Sequence, residues 1–392
     1  MNQVVHARFA LPLVLLAGAC RGETQSAPPS MPASAPPIET ASAMPPAPTT
    51  SAEPPPPPKP PLAELQKNAI LSRVAAFNAH DAKKLAAAYS DDAIVAMPAP
   101  EGWKTDTRDG FEKMHVGLFA GVPDSAMGVS RVFVKGDQAV LEWVATGTDS
   151  AGEKPSGKKI GFRAASVLWF NAEGLIRQDH TYIDYATIAM QAGKMPGQPR
   201  ALAALPSGEP RWIVAAGSED ALVESAKNAW PASWPKHDKK AYGASLTDDF
   251  VHEEIASPND VSGRSQAMME FDVYDKAVPD MAVSVDNAWA AGSFVVMEFT
   301  FRGTQKSALG PIKSTGKPFT IHGLDIDAMT GGDPIRMQKA TTYTNSVEYL
   351  TQLGAMPAKK SDEAKQALKA ASKPAAKPVA KSVAKPRKGD KK

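Results

Sequence analysis

Residues 80–92 read HDAKKLAAAYSDD, and residues 237–249 read HDKKAYGASLTDD. The His-Asp, Lys-Lys and Asp-Asp pairs recur in the same order, and the two histidines are 157 residues apart. In both stretches an Asp can cap a short helix, and the Asp-Asp pair precedes a run with strand character. One echo of this kind carries little weight alone, so the comparison has to extend along the chain.

Four further echoes follow in the same order in both halves of the chain. They are Val-Pro-Asp at 122–124 and 278–280, Gly-Thr at 147–148 and 303–304, Ser/Thr-Gly-Lys at 156–158 and 315–317, and Tyr-x-Asp/Asn at 182–184 and 343–345. Their offset drifts by a few residues, as insertions in loops would cause. Ordered echoes of this kind indicate a duplicated domain.

The apolar pattern within the first copy predicts helices followed by strands. Helical spacing begins near Leu62, and a second short helix covers Ala82–Tyr89. After a helix near 109–119, four β-rich stretches run from 127 to 185, and a short helix covers 186–192. Helices followed by an antiparallel meander predict an α+β fold rather than a wound βαβ sheet.

Two segments of biased composition flank the repeats. Fifteen of the 35 prolines lie between Pro28 and Pro61, a composition that predicts an extended, disordered stalk. Residues 358–392 carry twelve Lys or Arg against three acidic residues, so the net charge of +2 hides an acidic body and a basic tail. This tail resembles those of linker histones and predicts a disordered polycation. Its expected partners are anionic envelope polymers, anionic lipids or DNA, and a solvated tail without a partner is the alternative.

The N-terminus resembles the lipobox of bacterial lipoproteins. Arg8 precedes an apolar run from Phe9 to Ala17, which is far shorter than the roughly 20 residues of a spanning helix. Small residues then lead to Cys20, the only cysteine, which excludes an intrachain disulfide and a cysteine-based zinc site. The resemblance implies a lipid on Cys20 that anchors the protein in the cell envelope, at the outer membrane or facing the periplasm. An ordinary signal peptide with a free cysteine is the alternative.

These patterns divide the 392 residues into six predicted segments. They are a lipoprotein signal peptide (1–19), the stalk (20–62), a first domain (63–193), a linker (194–217), a second domain (218–357) and the basic tail (358–392).

The repeated pattern resembles the SnoaL-like polyketide cyclases, or ester cyclases, of the NTF2-like superfamily. The Asp-Asp, Pro-Asp, Gly-Thr and Gly-Lys pairs carry the resemblance, with the closing Tyr-x-Asp and a Gln-x-Gly at 191–193 and 352–354. It implies two tandem cone domains, each a curved antiparallel sheet with about three helices and an apolar pocket at the open end. It also implies chemistry without a cofactor, and sheets that pack face to face as an internal pseudo-dimer. No metal site is expected.

The last strand of the first copy carries the candidate catalytic residues. Side chains alternate along a strand, so His180, Tyr182 and Asp184 share one face. The resemblance places the acid/base aspartate at Asp184, and an apolar pocket would raise its pKa towards useful proton transfer. His180 and Tyr182 would then hydrogen-bond an enolate oxygen. The alternative is that Asp184 only caps the helix that follows it.

The expected ligand-binding residues lie in both copies. Arg163 matches a basic position common in the family, and Trp143 and Trp169 are expected to line the pocket. The equivalent residues of the second copy are His322, Tyr343 and Asn345.

The second copy has an amide where the first has an acid. Because Asn345 cannot take up a proton, this copy is expected to bind a ligand or to be structural. Alternatively, it uses His252, Glu253, Glu254 and His322 for different work. A metal site at 252–254 is not favoured, because alternation splits adjacent residues between two faces of a strand.

Two functions follow from these patterns. The favoured one is a lipid-anchored envelope protein whose cone pocket binds a small apolar ligand. The alternative is a cofactor-independent cyclase or isomerase with Asp184 as acid/base in the first copy. The predicted location in the cell envelope favours the binding function, because the polyketide cyclases that the chain resembles act beside a cytoplasmic synthase. Binding of a polyanion through the tail is a third possibility.

Overall fold

The computed structural model describes residues 60–150, 155–310 and 312–356. Cys20, almost all of the stalk and the basic tail lie outside the described residues, so what the sequence predicts for them stays a prediction. In the described part of the chain, no helix is long and apolar enough to cross a membrane.

The first domain is a curved sheet covered by helices on one face. Its helices are α1 (Leu62–Asn78), α2 (Ala82–Ala86), α3 (Arg108–Gly121) and α4 (Tyr185–Gln191). Its strands are β1 (Tyr89–Ala99), β2 (Gly102–Thr107), β3 (Ala126–Lys135), β4 (Gln138–Thr148), β5 (Lys159–Phe170) and β6 (Ile176–Tyr182). Strand order is β2-β1-β6-β5-β4-β3, antiparallel except where β1 runs parallel to β6. The predicted α+β architecture is confirmed.

The second domain repeats this plan. A short strand, β7 (Arg211–Val214), precedes it in the chain. The helices of the second domain are α5 (Asp220–Asn228), α6 (Trp230–Ser233), α7 (Lys239–Ala244), α8 (Arg264–Ala277) and α9 (Ser346–Leu353). Its strands are β8 (Leu246–Glu254), β9 (Val261–Ser262), β10 (Ala282–Ala291), β11 (Phe294–Thr304), β12 (Pro318–Met329) and β13 (Met337–Tyr343), in the order β10-β11-β12-β13-β8-β9.

The segment predicted as a linker contains a strand of the first sheet. β7 pairs parallel with β3, on the far edge of the first sheet. Earlier in the segment, Ala203 donates its backbone N–H to the carbonyl of Gly161 in β5, so this part is held against the first domain.

The sequence echoes have structural roles at equivalent places. His80 and His237 both adopt a positive φ, which turns the chain so that the following Asp caps α2 or α7. The Pro-Asp and Gly-Thr echoes meet across a turn: Asp124 accepts from Thr148 N at 2.6 Å, and Asp280 accepts from Thr304 N at 2.7 Å. The repeated motifs therefore stabilise the fold rather than build a site.

The sheets of the two domains pack against each other through their helix-free faces. One apolar cluster contains side chains of both, including Phe133, Val167, Trp289, Val296 and Ile326. Each sheet is therefore buried on two faces: the helix-covered face, which is the cone interior, and the interdomain face.

Candidate functional site

The residues predicted to be catalytic lie on the interdomain face of the first sheet. Tyr182 donates its hydroxyl to Glu298 of the second domain at 2.8 Å, and His180 Nδ1 lies 2.7 Å from the same carboxylate oxygen. A matching bond runs the other way, because Tyr343 of the second domain donates to Glu142 of the first at 2.7 Å. The two closing tyrosines therefore join the domains.

Asp184 caps a helix and takes part in the same junction. Its carboxylate accepts from the N–H groups of Ala186 and Thr187 in α4 and from Ser346 N of α9, at 3.3, 2.9 and 2.9 Å. Asn345 caps α9 through Val347 N and also accepts from Tyr185 N of α4, at 3.2 and 3.4 Å. Burial raises the pKa of Asp184, although these hydrogen bonds oppose the shift. It does not contact His180 or Tyr182 as the catalytic interpretation required, and the alternative of a helix cap fits its bonds.

The predicted ligand-binding residues divide between the two faces. Arg163 pairs with Glu253 of the second domain at 2.5 Å, and His322 Nδ1 lies 2.6 Å from Glu348 of α9. The ring of Trp169 packs against His180, which puts it with the interdomain residues. Trp143 alone of this set lies in a cone interior, where its indole donates to Ser166 at 3.1 Å.

The prediction that His180 and Tyr182 line the cone is therefore wrong, for a physical reason. Alternation sorts a strand's residues into two sets but does not say which set faces the helices. Polarity identifies the buried face only where the other face meets solvent. Here the interdomain packing buries both faces, and Asp179 and Thr181, on the opposite face of β6, are the residues that point into the cone.

The interior of the first cone is filled by its own side chains. Asp179 is fully buried and accepts from Tyr89 at 2.6 Å, from Thr181 at 2.7 Å and from Arg73 of α1 at 3.2 Å. Aromatic side chains pack around this ion pair: Phe77, Tyr89, Phe111, Phe119 and Trp143 are all buried in the same cluster. Every donor on Asp179 comes from the protein itself, which fits a structural role.

The second cone contains a cavity. Its wall is largely aromatic and apolar, formed by Trp230, Trp234, Tyr242, Phe250, Phe299 and Phe301, among others. The cavity has a volume of about 80 Å³. His252, Glu254, Asp325, Thr342 and Thr344 also line it. A few polar groups in an apolar concavity are the usual composition of a small-molecule site.

A continuous chain of hydrogen bonds crosses this cavity. Thr342 donates to Asp325 Oδ1 at 2.6 Å, and Thr342 Oγ1 lies 3.1 Å from His252 Nε2. The other ring nitrogen of His252 lies 2.9 Å from Glu270 of α8. At the far end, the indole of Trp230 donates to Asp325 Oδ2 at 2.7 Å. The chain places a carboxylate with a defined orientation beside an ionisable imidazole.

Family models match both halves of the chain. A SnoaL-like domain model matches residues 72–178, and a SnoaL-like polyketide cyclase model matches residues 224–353. The chain carries two SnoaL-like domains in tandem.

Solved structures resemble single SnoaL-like domains of this chain. A candidate SnoaL-like polyketide cyclase from Jannaschia sp. is 18% identical, with a TM-score of 0.33, over 38% of this chain and 100% of that one. IdmH of Streptomyces antibioticus, a candidate polyketide cyclase, is 19% identical (TM-score 0.29), over 34% of this chain and 98% of that one. An LEH-like epoxide hydrolase of M. tuberculosis is 15% identical (TM-score 0.29), over 35% of this chain and 91% of that one. No curated protein matches the sequence.

Burial sets the charge of the groups in the second SnoaL-like domain. Burial raises the pKa of Asp325 to about 6, against the hydrogen bonds from Thr342 and Trp230, and raises that of Glu254 to about 7. Burial alone would lower the pKa of His252, but the charges of Glu270, Glu254 and Asp325 raise it to about 9. At neutral pH the cavity therefore holds an imidazolium beside carboxyl groups that titrate near neutrality, which suits them to proton transfer.

A further acid lies deeper in the same cone. Asp327 is fully buried, and neither of its carboxylate oxygens has a hydrogen-bond partner. Burial, and then the charge of Asp325, raise the pKa of Asp327 well above its usual value. The charge of His252 opposes this shift without outweighing it, and a buried carboxyl group with no hydrogen-bond partner favours its neutral form, so Asp327 carries a proton.

The two SnoaL-like domains differ at three equivalent positions that explain these charges. When the strand pairings of the two sheets are aligned on Tyr182 and Tyr343, Asp179 of the first domain corresponds to Ala340 of the second. Leu168 of the first domain likewise corresponds to Asp327 of the second. Arg73, 157 residues before Trp230, has no cationic counterpart in the second cone. The deep carboxyl group of the second domain, Asp327, therefore lies on β12 rather than on β13, the counterpart of the strand that carries Asp179. In the described part of the chain, the second domain also has no arginine that would neutralise this group.

Sequence reasoning missed Asp325 and Asp327, although a signal was present. They alternate with apolar residues in the motif Leu-Asp-Ile-Asp at 324–327. Two acids at this spacing share one face, and neither has a cation nearby in the sequence. The alternation argument for 252–254 fits the structure: His252 and Glu254 face the cavity, whereas Glu253 faces the first domain and pairs with Arg163. Among the described residues, no group of three or more His, Cys, Asp or Glu is placed to hold a metal.

Proposed function

We propose that the second SnoaL-like domain is the functional one, and that it binds a small, largely apolar molecule carrying a carbonyl or hydroxyl oxygen. The observation that carries this proposal is the chain from Glu270 through His252 and Thr342 to Asp325 at the inner end of an aromatic cavity. The aromatic wall suits an apolar body, and the hydrogen-bonded end suits one oxygen. Binding in a cone agrees with the function favoured from sequence, for which ligand-binding residues are expected in both copies, and we assign the site to the second cone.

The same groups suit this domain to acid/base chemistry on the bound molecule. Asp325 is ionised in most molecules at neutral pH, and Thr342 and Trp230 hold it in place, so it can accept a proton from a carbon beside a carbonyl. The charge left on the oxygen would be stabilised by the nearby imidazolium of His252. The proton would return from Asp325 to the product, so the protein ends each cycle unchanged. We therefore propose a cyclase- or isomerase-type proton transfer in which Asp325, rather than Asp184, is the acid/base.

The first domain has a supporting role in this proposal. Its cone is filled around the Arg73–Asp179 ion pair, and its interdomain face holds the second sheet through Tyr182 and Tyr343. We propose that the two domains act as an internal pseudo-dimer, in which the first keeps the second in shape.

The experiment is to identify the molecules that co-purify with the full chain. Small molecules released by denaturation would be compared by mass spectrometry between the natural protein and Ala340→Leu, because Ala340 lines the second cavity and a larger side chain would fill it. Asp184→Asn is the matched control, since it keeps a helix cap and alters the first domain. A species lost only in Ala340→Leu supports the proposal. A species lost in Asp184→Asn and kept in Ala340→Leu contradicts it.

The cellular location of the protein and the role of its basic tail form a separate proposal. We propose that Cys20 is lipidated and anchors the protein in the envelope, and that the twelve basic residues of 358–392 bind anionic polymers or lipids there. Cys20→Ala should move the protein from the membrane fraction to the soluble fraction. Deletion of 358–392 should abolish salt-sensitive retention on vesicles that contain anionic lipid, and unchanged behaviour of either variant refutes its half of the proposal.

A further inference from the structure

A second cavity lies between the two SnoaL-like domains, away from both cone interiors. Residues 200–203, which we call the strap, cross β5 and form one wall, and Ala203 N donates to Gly161 O at 2.9 Å. Gly161 and Thr187 of the first domain form another wall, and Ile255 of the second domain closes it. The volume is about 140 Å³, close to the roughly 150 Å³ of an engineered cavity that holds benzene.

The strap can form this wall only because β5 has a glycine beneath it. A side chain at Gly161 would place its first carbon 2.6 Å from Ala203 O, which is too close for any residue with a Cβ. Gln191 of α4 fixes the start of the strap by donating to Arg200 O at 3.0 Å, and it also donates to Gly161 O at 3.0 Å. The cavity is therefore held open by specific bonds on two sides.

The lining of the cavity combines charged and apolar side chains. Arg163, Arg200 and Asp184 are charged, whereas Ala201, Ala203 and Ile255 supply apolar surface. Thr187, which also lines the cavity, is buried beside Asp184, and its side chain hydrogen-bonds that carboxylate.

The charges around the two arginines do not balance. Glu253 receives three cations: Arg163 at 2.5 Å, Lys339 at 2.9 Å and Arg200 at 3.5 Å. Asp260 adds a second partner for Arg200, so three cations share two carboxylates. The cluster is one negative charge short.

The two remaining acids nearby are held by other partners. Glu142, 3.9 Å from Arg163, is already paired with Arg131. The carboxylate of Asp184 accepts from three backbone N–H groups.

We propose that this interdomain cavity binds a small monocarboxylate with a compact apolar body, of about the size of benzoate. The carboxylate would lie against the guanidinium groups of Arg163 and Arg200, and the apolar body would pack against Ala203 and Ile255. The corresponding place in the second domain is built differently, because His322, the counterpart of Arg163, is held by Glu348 and packs on Trp103. The site is thus a property of the first domain and the strap together, and it is independent of the cavity in the second cone.

The test is calorimetric titration of the full chain with benzoate and, separately, with benzamide, its neutral counterpart of the same shape. We expect benzoate to bind with a dissociation constant on the order of 1 mM or lower, and benzamide to bind at least about tenfold more weakly. Ala203→Leu, which fills the cavity, should abolish benzoate binding. Ala204→Leu, the matched change at the next, exposed residue, should leave it unchanged.

Each other outcome overturns the proposal. Absence of benzoate binding, equal affinity for benzamide, or binding that survives in Ala203→Leu would show that the cavity is a structural space. Because Asp325→Asn alters only the second cone, benzoate binding that is lost in that variant would place the carboxylate there instead.

Discussion

Trp230 donates its indole N–H to Asp325 at 2.7 Å inside the second cone. At the equivalent helix position the first domain has Arg73, which forms an ion pair with Asp179 instead. A neutral donor orients a carboxylate without neutralising it, whereas a guanidinium cancels its charge. This exchange of Arg for Trp leaves the acids of the second cone able to change their protonation near neutral pH.

Trp230 should report the protonation of Asp325. Because burial raises the pKa of Asp325 to about 6, the tryptophan emission should change in a single step centred near pH 6. The step should vanish in Asp325→Asn, which cannot titrate, and in Trp230→Phe, which removes the reporter. Fluorescence titration of the three proteins between about pH 4 and 8 checks this. A step that persists in both variants would mean that another group titrates.

His252 should stay protonated well above the usual range for histidine. The charges of Glu270, Glu254 and Asp325 outweigh the effect of burial and raise the pKa of His252 to about 9. Removal of the nearest charge by Glu270→Gln should therefore lower that pKa by about one unit or more. NMR titration of the imidazole signals, assigned with His252→Gln, measures both values. Asp275 lies on α8 like Glu270, but it pairs with His237 instead of His252. Asp275→Asn is therefore the control, and it should leave the His252 titration unchanged.

Replacement of Asp327 by leucine, the residue of the first domain at this position, should stabilise the protein more at high pH than at low pH. The pKa of Asp327 is raised by folding, so the unfolded chain loses this proton first as the pH rises above about 4. As the pH rises above this value, the natural protein loses free energy of unfolding progressively, whereas Asp327→Leu does not, because leucine cannot titrate. Its gain in the free energy of unfolding should be on the order of 1–3 kcal/mol larger at pH 8 than at pH 4.

Urea unfolding at the two pH values measures this difference. Leu168→Asp, the reverse exchange in the first domain, should destabilise the protein. A gain for Asp327→Leu that does not change with pH would show that Asp327 is not a buried neutral acid.

The two tyrosines that join the domains should contribute comparable stability. Tyr182→Phe leaves Glu298 without one buried donor, and Tyr343→Phe does the same to Glu142. Each change should lower the free energy of unfolding by about 1–3 kcal/mol, because a buried carboxylate loses a hydrogen bond. Tyr185→Phe is the control, since its hydroxyl contacts only Met97 sulfur at 3.4 Å. An effect of the first two changes no larger than that of the control would argue against the junction.

The repeated motifs made the fold predictable from the sequence, whereas the position of the site was not. Pro-Asp with Gly-Thr, and His-Asp, stabilise turns and helix caps through their own hydrogen bonds, so their recurrence in both halves of the chain can be recognised in the sequence. The site depends instead on which face of β12 and β13 meets the helices. That is decided by the packing of one domain on the other, which buries Tyr182 and Tyr343 as thoroughly as the cone interior buries Asp325.

The strand β7 and the strap show a second limit of sequence reasoning. Proline and glycine in 194–217 are typical of a linker, and they do not reveal that Arg200 binds Glu253 or that β7 extends the first sheet. Such contacts are between residues far apart in the chain, and no periodicity in the segment encodes them.

The central claim, that the second cone is the binding site and Asp325 its polar end, is tested most directly by calorimetric titration with phenol. This probe has a single apolar ring, which suits the aromatic wall, and one hydroxyl, which suits the hydrogen-bonded end. The natural protein and Asp184→Asn should bind it with equal affinity, and Asp325→Asn should bind it at least about tenfold more weakly, because the amide is a poorer acceptor than the carboxylate. Weakened binding in Asp184→Asn together with unchanged binding in Asp325→Asn would contradict the account and return the site to the first domain.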